Sequence, residues 1–402
     1  MIFDLTNNRK RAAILFSGGP APGANTVISS VTLTFLNHGI QVIGFLRGFE
    51  HIQDFDVHDP ASLRESIHYI HMTHTVSEIR NRRGVYLGTS RANPGKAIRS
   101  PEDLNDETKV VRLRNIIEAL ECLDVGVVVT IGGDDTLKTA NFLHRMGFPV
   151  VHIPKTIDND YYGISWTFGY WTAVDVSQKI LLNLRGDAQA TDSWFVAELM
   201  GRKAGWITYA SGISGMADRM IALEDLTEDQ LDLDRLGNEL VDLILSRERE
   251  GKSYGIVCLS EGLADRLPEA LRPTEVDRHG NLLYGKVEIG RLIARSTTEI
   301  YKNRTGRKKK ITYKQVGYET RSSSPISFDV VLGAMLGYGA FKLVSENKFG
   351  HMVSVSDNFD IKAIPFSELI DEKTLVTKLR NVPPGSDFYE LKEALSYKPT
   401  KR

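Results

Sequence analysis

Two short stretches carry the residues best suited to chemistry. "IGGDDT" (131–136) sets Asp134 and Asp135 directly after a glycine pair, and "PKTIDND" (154–160) sets Lys155 and Thr156 ahead of Asp158 and Asp160. A carboxylate can take the proton from a hydroxyl as it attacks, and a lysine can neutralise charge on a group in flight. Carboxylates beside a glycine turn also suit Mg²⁺, which commonly takes one or two of them and fills its shell with phosphate oxygens. Plain structure could use the same residues. Asp135 is well placed to cap a helix starting near Thr136, and Asx turns or surface ion pairs would absorb the second stretch.

A third stretch, "SGGPAPGAN" (17–25), has Gly18, Gly19 and Gly23 for close backbone approach and Pro20 and Pro22 for stiffness. Its N–H groups suit a phosphate, although a tight strand-to-helix turn would use glycine equally well. No Lys-Ser/Thr pair follows the glycines, so it is not a Walker A loop.

The elements that position these turns are legible as apolar runs: "AAILFSGGP" (12–20), "VGVVVTIGGDD" (125–135), "FPVVHIPKTIDND" (148–160), "SWFVAELMGR" (193–202) and "YGIVCLSEG" (254–262). Val/Ile/Leu runs without alternation are the mark of strands buried on both faces. Helical patterns lie between several of them, at 24–39, 106–123 and 136–147. Strand, polar turn and helix in repetition predict an α/β fold, a parallel sheet with helices on both faces. Ligands bind such sheets outside the carboxyl ends of the strands, so the five turns are candidates for one site or for two facing sites. The stretch from about 263 to 316 reads as the least regular, and its basic run "KNRTGRKKK" (302–310) reads as a solvated loop or helix end, or as a lip for an anionic substrate.

Composition narrows the classes. A chain of 402 residues suggests two domains, and a net charge of −1 gives no reason to expect DNA, RNA or an anionic membrane as partner. Cys122 and Cys258 are isolated in separate apolar runs, which fits a reducing cytoplasm better than disulfides or zinc. The opening segment does not read as a signal peptide and no run reads as a bilayer span, so a cytoplasmic location is expected.

The motifs "SGGPAPGAN", "GGDDT", "PKTIDND", "MGR" (200–202), "LSEG" (259–262) and "GYETR" (317–321) occur in the order of the phosphofructokinase family, which this chain resembles from about residue 11 to about 345. The "DD" and "PK" pairs resemble its pyrophosphate-dependent branch. The resemblance implies two Rossmann-like three-layer α/β/α domains with mostly parallel sheets and the active site in the cleft between them. Residues 1–168 with about 320–375 would form the phosphoryl-donor domain, and 169–319 with about 376–402 the sugar-phosphate domain. It also implies Mg²⁺-dependent, reversible transfer from pyrophosphate to the 1-hydroxyl of fructose 6-phosphate by a homo-oligomer, a dimer or tetramer.

Roles follow from the same resemblance. Asp158 is the base, Asp134 the metal-linked acid, and Lys155 the charge on the transferring group. Gly19 and Arg91 contact pyrophosphate. Thr156, Met200, Gly201, Arg202 and Glu261 bind the sugar, and Tyr318 and Arg321 hold its 6-phosphate. Asp135 stands where a nucleotide α-phosphate would lie and repels ATP. The chain departs from the family at "TDSW" (191–194), where an arginine is common, and at Trp171, where an aspartate is. The competing readings are an ATP-dependent 6-phosphofructokinase and a catalytically silent sugar-phosphate-binding subunit.

Overall fold

The computed structural model describes residues 11–272, 274–276 and 286–398. From the N-terminus the elements are β1 (Arg11–Phe16), α1 (Ala24–Asn37), β2 (Gln41–Phe45), α2 (Phe49–Ile52), β3 (Tyr69–Met72), α3 (Glu107–Cys122), β4 (Val125–Gly132), α4 (Asp134–Arg145) and β5 (Val150–Pro154). There follow α5 (Tyr170–Thr191), β6 (Trp194–Leu199), α6 (Trp206–Ser214), β7 (Arg219–Ile221), α7 (Leu233–Arg249), β8 (Gly255–Ser260), α8 (Ile289–Thr305) and β9 (Ile311–Val316). The chain closes with α9 (Ser327–Ser345), β10 (His351–Val355), β11 (Ile361–Pro365), α10 (Phe366–Leu369) and α11 (Asp387–Leu395).

These elements form two compact units. Among the described residues, the first holds 11–157, 161–172 and 321–379, and the second holds those of 158–160, 173–320 and 380–398. The first unit carries a seven-stranded sheet in the order β11-β10-β5-β4-β1-β2-β3. Its interior pairs are parallel, while β3 and β11 close the two edges antiparallel. Strands β4 and β5 are buried along their whole length, as their unbroken apolar runs predict. Helices cover both faces, with α1 against α9 and α3 against α4.

In the second unit four strands, in the order β7-β8-β6-β9, are all parallel. Helices α7 and α8 pack on each other over Trp194, Val196, Val257 and Leu259 of the sheet. Both units are three-layer α/β/α structures with mostly parallel sheets.

The stretch 263–316 is more regular than its sequence suggested, because it contains α8 and β9. Helix α8 buries Ile289, Ile293, Thr297 and Tyr301, a spacing of four that marks one apolar stripe on an otherwise polar helix. The basic run opens as the last turn of that helix and continues into the loop before β9. Gly306 caps the helix in the left-handed conformation at φ 70°, and Arg307 and Lys309 pair with Glu248 of α7 at 2.8 and 2.9 Å. Those two charges are engaged within the unit and form no lip.

One buried carboxyl ties the first unit together. Asp329, in the first turn of α9, accepts hydrogen bonds from Gly169 N (2.9 Å), Thr172 N (2.7 Å) and Thr172 Oγ1 (2.6 Å). Burial raises its pKa to about 6, against the lowering effect of these donors. Helix α9 is also long and apolar enough to span a bilayer, yet it buries Leu332, Leu336, Ala340, Phe341, Leu343 and Val344.

Candidate active site

Strand register places the motifs. In the first unit Phe16 of β1 pairs with Ile131 of β4, and Gly132 of β4 pairs with Pro154 of β5. The glycine loop, the Gly-Asp turn and the lysine turn therefore leave three adjacent parallel strands at one level, at the carboxyl end where α/β ligands bind. Hydrogen bonds then lock the turns: Ser17 N to Ile131 O at 2.9 Å, and Lys155 N to Gly132 O at 2.9 Å. The segment before Arg91 braces the loop, because Gly18 N donates to Ser90 O at 2.8 Å and Thr89 Oγ1 donates to Gly18 O at 2.6 Å. Arg91 follows directly.

Side chains complete this group. Lys155 is 7% exposed, and a methyl group on Gly18 would stand 3.1 Å from its Nζ. The backbone at Gly18 is left-handed, φ +88°, so this loop accepts only glycine without strain. A methyl group on Gly19 would lie 3.7 Å from Nη1 of Arg321. Arg321 thus lies beside Gly19 in the first unit, whereas Tyr318, the other residue expected on the 6-phosphate, is in the second unit and 74% exposed.

Helix α4 begins at Asp134, with Gly133 at the N-cap position. Asp135 is therefore not a cap for a helix starting at Thr136, because the helix has already begun and both acids occupy its first turn. There they face the positive end of the helix dipole. Asp135 is exposed, and its carbonyl accepts from Thr139 Oγ1 at 3.0 Å. The N-terminus of α1, capped by Gly23, has no acid in its first turn. One helix end is thus open to an anion and the other already carries negative charge.

At Ile157–Asp158 the chain passes into the second unit. Asn159, fully buried, takes the left-handed conformation at φ 54°, which asparagine tolerates better than most residues. It turns the backbone between Asp158 and Asp160. Trp171 lies back in the first unit, in an aromatic cluster with Trp166 (5.3 Å between ring centres) and Tyr170 (5.1 Å).

The second unit repeats the register argument. Leu199 of β6 pairs with Ser260 of β8 on one side and Val316 of β9 on the other. The "MGR", "LSEG" and "GYETR" turns therefore leave adjacent strands side by side. Ser260 Oγ donates to Gly201 O at 2.5 Å, and Gly262 N reaches the same carbonyl at 3.3 Å. A side chain on Gly262 would overlap the Arg202 carbonyl, so the glycine of "LSEG" is needed for close approach. Thr320 Oγ1 donates to Gly317 O at 2.7 Å and lies 3.7 Å from Met200 Sδ. Met200 and Glu261 are 8% and 7% exposed.

Three buried residues that sequence reasoning passed over make structural contacts here: Ser90, which braces the loop, Asn159, and Glu198 of β6, which accepts from Gly290 N at 2.9 Å. Asn159 alone had a signal, as the residue between two aspartates most tolerant of positive φ.

Paired glycine-and-charge turns at the ends of parallel strands define an α/β enzyme that handles phosphate groups. Residues 11–344 match the phosphofructokinase family, and the chain belongs to it. It is 34% identical to the pyrophosphate–fructose 6-phosphate 1-phosphotransferase of Thermotoga maritima, over 95% of this chain and 89% of that one. It is also 33% identical to ATP-dependent 6-phosphofructokinase 3 of Bacteroides thetaiotaomicron, over 92% and 95% of the two chains. Among solved structures, the pyrophosphate-dependent phosphofructokinase of Nitrosospira multiformis shares the fold with a TM-score of 0.70 at 16% identity, covering 98% of this chain and 93% of that one. The phosphofructokinase of Pichia pastoris does so with a TM-score of 0.72 at 17% identity, and there this chain spans 42% of the longer protein.

Proposed function

We propose that this phosphofructokinase-family enzyme reversibly transfers a phosphoryl group from pyrophosphate to the 1-hydroxyl of fructose 6-phosphate. The observation that carries the choice of donor is the buried Lys155 ammonium held against Gly18, beside a helix whose first turn carries Asp134 and Asp135. In the reaction, Asp158 accepts the proton of the 1-hydroxyl as its oxygen bonds to phosphorus. The bridging P–O bond of pyrophosphate breaks, and phosphate leaves with the electron pair. Lys155 and Arg321 hold negative oxygens of the transferring group against the glycine loop, and the second unit's "MGR" and "LSEG" turns hold the sugar.

The donor set suits Mg²⁺ of the kind shared with a substrate. Among the described residues no group of three or more His, Cys, Asp or Glu side chains could hold a metal unaided, and a lone carboxylate with phosphate oxygens and water is the coordination Mg²⁺ prefers. Asp134 would hold it, and the ion would neutralise charge on the phosphates.

A second reading, with ATP as donor, is supported by the Bacteroides relative at nearly equal identity. Against it stands Asp135, whose charge about 4 Å from an α-phosphate would cost ~4 kcal/mol at an effective dielectric of ~20, roughly a thousandfold in affinity. Initial rates with each donor and fructose 6-phosphate test the proposal. A kcat/KM for pyrophosphate some 10³-fold above that for ATP is expected, and a preference for ATP overturns it.

A further inference from the structure

The segment 380–382 makes contacts that none of the roles above uses. Arg380 N donates to Asp160 O at 2.8 Å, gripping the last residue of "PKTIDND". The Arg380 carbonyl accepts from Trp206 Nε1 at 2.8 Å, and its guanidinium lies 4.2 Å from the centre of the same indole ring. Trp206 opens α6 directly after "MGRKAG", and Phe388 stacks on it at 5.4 Å. Two residues on, Val382 N donates to Glu224 Oε1 at 3.1 Å, and the same oxygen takes Gly205 N at 2.9 Å. Every one of these residues lies in the second unit.

The loop that carries Asp158 and the loop that carries Met200, Gly201 and Arg202 are thus tied at their far ends to one short piece of chain. A planar guanidinium over an indole fixes both partners in a way that a flexible ammonium does not. Resting on the proposed function, we propose that Arg380 is a positioning residue, which sets the Asp158 loop against the sugar loop through its stack on Trp206. Misplacing a reacting group by ~1 Å can cost ~10²-fold in rate, even when the change is far from the chemistry.

The test compares the full-length wild type with Arg380→Ala, Arg380→Lys and Trp206→Phe. Arg380→Ala is expected to lower kcat by roughly 10- to 100-fold and raise the KM for fructose 6-phosphate severalfold, leaving the KM for pyrophosphate unchanged. Arg380→Lys keeps a cation over the ring and should fall between the two. Trp206→Phe keeps a ring but loses the N–H, and should also be intermediate. Amide hydrogen exchange at 156–161 and 200–206 should quicken in Arg380→Ala without substrate. Kinetic constants per folded molecule equal to wild type, a KM raised alike for both substrates, or unaltered exchange in either loop would each overturn the proposal. If the wild type turns over neither pyrophosphate nor ATP, the proposed function fails, and the exchange comparison decides the role of Arg380 by itself.

Discussion

Asp158 and Lys155 stand three positions apart in sequence, and the proposed reaction gives them opposite tasks. Asp158→Asn keeps the shape and loses the base, so kcat should fall ~10²–10⁴-fold while the KM for fructose 6-phosphate stays nearly unchanged; near-normal turnover would remove Asp158 from the mechanism. Asp135→Gly should admit ATP while retaining some pyrophosphate activity, and adding Lys155→Gly should suppress the pyrophosphate reaction by a further ~10²–10³-fold. Measuring kcat/KM for both donors in the single and double variants checks this, with non-additivity expected because the two turns are neighbours. If ATP stays as poor a donor for Asp135→Gly as for wild type, exclusion lies elsewhere. The guanidinium of Arg321 beside Gly19 changes what its removal should do. In the proposed reaction it holds the group in transfer, a contact that contributes ~1.5–3 kcal/mol, so Arg321→Ala should lower kcat/KM roughly 10- to 100-fold for both substrates. A loss confined to the KM of the sugar phosphate would return it to the 6-phosphate. The charged pairs were legible in the sequence because their spacing is local. The position of Arg321 was not, because it depends on the chain passing back into the first unit at Arg321, far in sequence from Gly19.

At the scale of elements, the sequence was clearest where strands are buried on both faces. The five apolar runs became β1, β4, β5, β6 and β8, each ending in the turn its glycines and acids marked. Other strands escaped notice for a physical reason. Strand β7 has three residues, β3 and β11 lie at edges, and β9 exposes Lys314 and only partly buries most of its other residues, so no unbroken apolar run announces them. Helix α8 was missed because its stripe of period four runs through a strongly basic sequence. The junction of α5 and α9 offers a test by pH. Asp329 is raised to about 6 in the folded chain from an ordinary 3.8, so its stabilising contribution is complete below the unfolded value and is lost as pH rises through 6. A shift of about two units corresponds to roughly 3 kcal/mol. The melting temperature of wild type minus that of Asp329→Asn should therefore be larger near pH 4.5 than near pH 7.5. A gap that widens with pH would mean that the three donors to Asp329 outweigh its burial.

At the scale of the molecule, the turns proposed to hold the donor and those proposed to hold the sugar belong to different units, and ligands should report that division. Pyrophosphate with Mg²⁺ should slow amide exchange at 17–19, 89–91 and 132–136, whereas fructose 6-phosphate should slow it at 200–206 and 259–262. Protection of the second set by pyrophosphate alone would contradict the assignment. The seven-stranded sheet has a further consequence, for how the protein is made. Strand β5 finds its outer neighbour only when His351 and Met352 of β10 pair with Val151 and His152. Helix α1 likewise waits for α9. Roughly 200 residues separate the two strands, which is about 10–40 s of synthesis at ~5–20 residues per second. Throughout that interval the apolar edge "VVHIP" lies open on the ribosome-bound chain, a template for pairing with another copy. The nascent polypeptide, rather than the finished enzyme, is where this architecture is most prone to aggregate.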